Sequence, residues 1–126
     1  MERFQIARDP LWRAPLMIIG ADAERSHVTF ATDALDVQLG MARVRIPYAN
    51  VREAKRRKWP WYLGIGIRIA GDKTLGLVGS TKGVVQISFR EPTVDGVLFM
   101  RRPNHLAVSL EDPEGFLAEL QKRLPR

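Results

Sequence analysis

The chain has 126 residues, of which 45% are hydrophobic and 27% are charged, and this composition is typical of a globular domain rather than a disordered polymer. It contains no cysteine, which excludes disulfide bonds, thiol nucleophiles and cysteine-ligated zinc. Twenty lysines and arginines against fourteen acidic residues give a formal net charge of +6, which favours encounters with anionic partners.

Two features of the sequence bear on localisation. The longest apolar run, from Trp59 to Ile67, is far shorter than the roughly 18 residues that a membrane-spanning helix needs. The N-terminal stretch MERFQIARDPLWRAP lacks the apolar core of a signal peptide. Together with the absence of cysteine, these features predict a cytoplasmic protein, with peripheral contact at the inner face of the membrane as the alternative.

Apolar residues alternate with polar ones along most of the chain, which is the pattern of half-buried β-strands. In chain order the alternating sets are Phe4/Ile6, Val28/Phe30, Leu35/Val37/Leu39, Val44/Ile46, Ile65/Ile67/Ile69, Leu75/Leu77, Val85/Ile87/Phe89, Val97/Phe99 and Leu106/Val108/Leu110. Turn-forming residues, mostly glycine and aspartate, separate these segments. The pattern predicts an antiparallel β-sandwich or β-barrel, formed by a single domain over residues 1–126.

Only the C-terminal segment has the periodicity of a helix. Asp112 is a favourable N-cap and Pro113 suits the first helical position. One apolar stripe follows at helical spacing and consists of Phe116, Leu117, Leu120 and Leu124. We expect this helix to close one open end of the β-structure, and a helix that binds a partner is the alternative.

Many strands closed by one C-terminal helix is the layout of pleckstrin-homology (PH) domains. Residues 28–55, VTFATDALDVQLGMARVRIPYANVREAK, resemble the start of bacterial PH-like domains, and residues 106–124, LAVSLEDPEGFLAELQKRL, resemble their ending. Residues 59–89 are similar to the middle strands of small uncharacterised bacterial proteins of this kind. The resemblance covers most of residues 28–124, and it implies a PH-like fold and a non-catalytic binding or assembly module whose ligand is unspecified.

The sequence departs from the PH domains that bind phosphoinositides. Those domains carry lysine or arginine in their first hairpin, whereas the hairpin expected here around Asp33 has no basic residue. They also commonly place a tryptophan in the closing helix, where this chain has Phe116. The resemblance therefore does not extend to phosphoinositide binding.

No motif in the sequence indicates catalysis, and we expect no catalytic residue, no metal and no cofactor. His27 and His105 have no neighbour at a metal-ligand spacing. The segment that begins Gly64-Ile65-Gly66 has Ile69 where a dinucleotide fingerprint has its third glycine. The GSTKG segment, residues 79–83, could hold an anion through its lysine, but a hairpin turn is the favoured interpretation.

One alternative involves a cofactor. Split-barrel proteins that bind flavin or deazaflavin have a similar length and β-content, and they contain sequences similar to residues 27–32, HVTFAT. Such proteins hold phosphates with lysine and arginine side chains from their strands. The polar turn that usually follows this motif is missing after Thr32, so the binding module remains the leading hypothesis.

The segment KRRKWPWY, residues 55–62, places four cations beside three aromatic rings. In a strand, Arg52, Ala54, Arg56 and Lys58 share one face, and neither face is apolar, so the segment should be an edge strand. Pro60 between two tryptophans indicates a rigid corner, and this structural interpretation is favoured over a docking site. If the segment is a docking site, its candidate residues are Arg52, Arg56, Lys58, Trp59, Trp61, Arg101 and Arg102.

The expected partner of this surface is a protein or a second copy of the chain. Weak, salt-sensitive contact with an anionic membrane is the next hypothesis, because about three cations can face one surface at roughly 1 kcal/mol each. Binding of nucleic acid by stacking on the aromatic rings is the least favoured.

Overall fold

The computed structural model describes residues 3–8, 26–39, 42–60, 65–70, 74–90 and 104–124. The protein is mostly β. The described ranges contain nine strands, which form two sheets, and one α-helix. The strands are β1 (Arg3–Gln5), β2 (Ser26–Phe30), β3 (Ala34–Leu39), β4 (Ala42–Pro47), β5 (Val51–Arg56), β6 (Gly66–Ala70), β7 (Thr74–Val78), β8 (Val84–Phe89) and β9 (His105–Ser109), and helix α1 spans Pro113–Arg123.

The first sheet is an antiparallel meander in the order β1-β2-β3-β4. Its inner face consists of alternate apolar residues that are fully buried: Val28, Phe30, Leu35, Val37, Leu39, Val44 and Ile46. Its outer face is polar, and there Arg45 donates hydrogen bonds to Asp33 at 2.8 Å and to Asp36 at 3.1 Å. The period of two in the sequence therefore predicted these strands and their buried face correctly.

The second sheet has the order β5-β8-β9-β7-β6 and is mixed. Strand β9 runs antiparallel to β8 but parallel to β7, with Thr74 opposite His105 and Leu77 opposite Val108. The prediction of a purely antiparallel structure is wrong at this pair. In β9, Leu106, Ala107 and Val108 are fully buried in succession, which is typical of a central strand with neighbours on both sides.

Because β9 lies between β7 and β8, the GSTKG segment does not form a hairpin between neighbouring strands, and that prediction is wrong. The segment passes over the end of β9, where the Leu110 N–H donates to the Gly83 carbonyl at 2.9 Å. Gly83 has a φ of 70°, which residues with a side chain rarely adopt, and a Cβ there would also meet the Leu110 carbonyl.

One apolar core contains residues from both sheets and from the helix. The chain after β1 connects the two sheets, because Ile6 forms a bridge with Leu110 and Arg8 forms one with Gly79. The sheets remain open and do not close into a barrel, so the barrel form of the prediction is wrong.

Helix α1 begins as the sequence predicts. The Asp112 carboxylate accepts a hydrogen bond from the Gly115 N–H at 3.0 Å, and Pro113 occupies the first turn. Phe116 and Leu120 are fully buried, and the Phe116 ring lies 5.4 Å from that of Phe30. The helix thus packs against the β-structure and covers its apolar core, as expected.

Two further segments, Val97/Phe99 and Ile65/Ile67/Ile69, are predicted to be strands. Val97 and Phe99 lie outside the described residues. Strand β6 is present where the isoleucine alternation predicts it, and Ile65 before it is buried, but the side chains within β6 are not described.

Tyr48 lies in a 3-10 turn (Tyr48–Asn50) that leads from the first sheet to the second. Its hydroxyl donates to the Ala31 carbonyl at 2.6 Å, and its ring stacks on Phe30 with 6.4 Å between centroids. Burial raises the pKa of Tyr48 above its ordinary value, although the nearby Arg123 guanidinium acts in the opposite direction. The fold therefore favours the neutral phenol.

We predict that Tyr48→Phe lowers the free energy of unfolding by about 1 kcal/mol near neutral pH, because the Ala31 carbonyl loses its donor. The folded pKa lies above the unfolded value of about 10, so the contribution of the neutral phenol is complete below that pH and is lost as the pH rises through the folded pKa. Urea unfolding of both proteins across this range should show their difference shrinking at high pH. A difference that stays constant would contradict the role given to the hydroxyl.

Candidate functional site

Among the strands that the structure describes, β5 lies at one end of the five-stranded sheet, which agrees with the prediction of an edge strand. The exposed side chains along β5 and just after it are Arg52, Glu53, Lys55, Arg56 and Lys58. Four of these five residues are cations, so the edge is positively charged. Charged residues on an edge also protect a sheet from pairing with other copies.

A β-bulge at Arg52 sets the faces of this strand. Val51 is opposite Phe89 and Glu53 is opposite Ser88, so Arg52 is an additional residue without a partner in β8. As a result, Val51 and Ala54 both pack against the core although they are three residues apart. The strict alternation predicted from the sequence therefore begins only after the bulge.

Beyond the bulge, the cations lie on two sides of the edge. Lys55 is opposite Gln86 on the outer face of the sheet, which is the face turned away from the core. Arg56 is on the core side, where its Nη1 donates to Glu114 of helix α1 at 2.8 Å. Both partners of this ion pair are at least half exposed, so the pair contributes little to stability.

The Arg57 side chain forms hydrogen bonds on the outer face of the five-stranded sheet. Its Nη1 atom donates to the Thr74 hydroxyl at 2.9 Å and to the Gln86 amide oxygen at 2.8 Å. Its guanidinium carbon lies 5.5 Å from the centroid of the Trp59 ring, within the range of a cation–π contact. Arg57 therefore connects the end of β5 to both β7 and β8.

Trp59 is buried, with only 4% of its surface exposed, and it packs with Val78, Val84 and Ala107. Its ring lies over Gly76, where a Cβ would come within 2.8 Å of the outermost ring carbon. Trp59 therefore does not contribute an exposed ring to a docking surface, and its inclusion in the candidate surface is wrong. The structural interpretation, a buried corner, describes it correctly.

A polar network continues from Arg57 across the outer face. Because a guanidinium can only donate, the Gln86 oxygen accepts from Arg57, and the Gln86 nitrogen then faces the Ser88 hydroxyl at 3.1 Å and His105 Nδ1 at 3.3 Å. Ser88 Oγ lies 2.9 Å from the same Nδ1 atom.

Sequence reasoning missed this network and the glycine under Trp59. Gln86 and Ser88 are buried polar residues that alternate with apolar ones in β8, and Gly76 holds the corresponding position in β7. The sequence signal for these residues is the alternation of small and polar residues along β7 and β8, at the positions that face away from the core.

The remaining candidate residues divide into two groups. Arg52, Arg56 and Lys58 are brought together along one edge, as described above. Trp61, Arg101 and Arg102 lie outside the described residues, so a single continuous basic patch stays a prediction.

In the described part of the chain, no three histidine or acidic side chains come together as a metal site would require. No helix among the described residues has the length and apolar character needed to cross a bilayer. Comparisons with protein-family models, with curated proteins and with solved structures gave no match for this chain.

The contact between Trp59 and Gly76 can be tested by a double-mutant cycle. Gly76→Ala should destabilise the fold by about 1–3 kcal/mol, because the indole ring has to move away from the new methyl group. In a Trp59→Leu background the same substitution should cost much less, because the two ring carbons that clash are gone. Chemical unfolding of the four proteins measures the coupling energy, and additive effects would contradict the contact.

Proposed function

We propose that this protein is a cytoplasmic, non-catalytic binding module of PH-like type, and that its β5 edge binds an extended acidic segment of a protein partner. The observation that carries the proposal is the exposed row of cations on an end strand that Arg57 fixes to the rest of the sheet. Support for the PH-like type comes from the sequence resemblance and from the closing helix, and support for the location comes from the absence of cysteine.

The backbone of β5 suits recognition by strand addition. The Arg57 N–H donates to the Val84 carbonyl at 2.9 Å, so Arg57 is at a hydrogen-bonded position of the antiparallel pair. Such positions alternate along the strand, so the N–H and C=O groups of Arg56 and Ala54 point away from β8. A partner strand can bond to these groups, and main-chain hydrogen bonds supply affinity in this mode of binding.

The charges decide which partner fits. A second copy that paired through its own β5 edge would bring Lys55, Arg56 and Lys58 against the same cations, so self-association by this edge is disfavoured. An acidic segment meets the opposite charge on both sides of the edge.

A flat anionic membrane fits less well than a protein segment. Lys55 and Arg56 lie on opposite sides of the edge and cannot both face one plane. Trp59 is buried and cannot insert into the interface, and for the same reason it cannot stack on a nucleic acid base. A split-barrel flavin protein fits less well, because the two described sheets stay open.

The test compares Arg56→Pro with Arg56→Ala. Both variants lose the Arg56 charge and the ion pair with Glu114, but only proline removes the N–H that points away from β8, and edge strands tolerate proline at such positions. The probe is a fluorescein-labelled peptide of alternating glutamate and threonine, measured by anisotropy at low salt. We expect the alanine variant to bind a few-fold more weakly than the wild type and the proline variant to lose about tenfold more affinity.

Thermal unfolding of both variants provides the control for folding, and a peptide of alternating lysine and threonine provides the control for charge. Vesicles that contain phosphatidylserine form a second arm of the experiment. Equal peptide affinity in the two variants would contradict strand addition. Vesicle binding that exceeds peptide binding, and that both variants reduce equally, would favour the membrane in place of the protein partner.

A further inference from the structure

A cavity of about 270 Å³ opens at one end of the five-stranded sheet, where β5 begins, β8 ends and β9 begins. The described residues that line it are Arg52, Phe89, Arg90, Asn104 and His105. None of these five side chains is acidic, and four of them carry N–H donors. This site is distinct from the β5 backbone edge that the proposed function uses, although Arg52 is near both.

The two arginines are held at the cavity by backbone features. Arg52 is the additional residue of the β-bulge, and a bulge commonly re-aims the side chain that it carries. Arg90 follows β8 directly, and its N–H donates to the Asn50 carbonyl at 2.9 Å. Two segments that are distant in sequence therefore bring two arginines to the lining of one cavity.

The side of the cavity where β9 begins adds two further polar residues. Asn104 is fixed by its carbonyl, which accepts the Phe89 N–H at 3.0 Å, so its side chain starts from a fixed backbone position. His105 Nδ1 lies 2.9 Å from Ser88 Oγ and 3.3 Å from Gln86 Nε2, so the imidazole ring is held against β8.

Among the described residues, Glu53 is the acidic residue that lies beside Arg52. Its carboxylate lies 4.0 Å from Arg52 Nη2, at the limit of an ion pair, and both side chains are more than half exposed. Such a pair is weak and does not compete strongly with a ligand. The cavity therefore combines two arginines with the polar side chains of Asn104 and His105.

We propose that this cavity binds a phosphate group, either free or as a phosphomonoester. Guanidinium groups form paired, charge-assisted hydrogen bonds with phosphate oxygens, and donors from several directions suit a tetrahedral oxyanion. A cavity of this size holds one phosphate group and a small substituent, with the Phe89 ring as the apolar part of the lining. The cavity lies between β5, β8 and β9. It is therefore a different place from the first hairpin, around Asp33 in this chain, where PH domains that bind phosphoinositides carry their basic residues.

The experiment is a two-dimensional NMR titration with inorganic phosphate near neutral pH, with chloride used to keep the ionic strength constant. The backbone amides of Arg90 and His105 should shift in a saturable way. Arg52→Gln and Arg90→Gln should each weaken binding about tenfold, because each removes one charge and its paired hydrogen bonds. Arg43→Gln is the matched control, since Arg43 is an exposed arginine on β4 in the other sheet.

Two further arms identify the source of the phosphate. Glycerol 3-phosphate that binds at least as tightly as inorganic phosphate indicates a soluble phosphomonoester, and phosphatidic acid vesicles that bind more tightly still indicate a lipid headgroup. The proposal is overturned if no shift saturates, if Arg43→Gln weakens binding as much as Arg90→Gln, or if acetate binds as tightly as phosphate. Arg56→Pro should leave phosphate binding unchanged, so this result is independent of the result for the β5 edge.

Discussion

The contact of the Arg57 guanidinium with Thr74 and Gln86 is the interaction on which the arrangement of this surface depends. Strand β5 has few apolar side chains, so packing alone holds it weakly, and hydrogen bonds to a charged group contribute roughly 1.5–3 kcal/mol. Arg57 supplies such bonds to β7 and β8 at once. It also covers the Trp59 ring, which in turn lies over Gly76. The edge strand and the buried corner are therefore one structural unit.

The same contact organises the far side of the sheet. By accepting from Arg57, the Gln86 oxygen fixes the orientation of the whole amide, and this orientation sets the direction of the hydrogen bonds to Ser88 and His105. The His105 ring is thus connected through Gln86 to an arginine two strands away. This coupling links the basic edge to the cavity at the end of β5, although the two surfaces recognise different chemistry.

Much of the fold could be predicted from local sequence, because alternation and helix capping are local signals. The strands from β2 to β4 and the N-cap at Asp112 are examples. The order of strands could not be predicted, since the insertion of β9 between β7 and β8 depends on which strand is buried on both faces. The bulge at Arg52 could not be predicted either, because one additional residue in a strand does not change the composition detectably.

For the candidate surface too, the local features could be predicted and the contacts between distant residues could not. The charges on both faces of residues 52–58 predicted an edge strand. Among the described strands, β5 does lie at the end of its sheet. The burial of Trp59 required knowledge of Gly76, which is distant in sequence and lies beneath the ring only in the folded sheet. The missed residues Gln86 and Ser88 are polar, and their burial follows from partners in other strands.

Amide hydrogen exchange along β5, followed by NMR, tests the central claim most directly. If β5 is an open edge held by its contact with β8, the N–H groups of Lys55 and Arg57 are protected, while those of Ala54 and Arg56 exchange rapidly. Protection of the Arg56 N–H equal to that of Arg57 would show that the edge is already covered, and it would contradict this account.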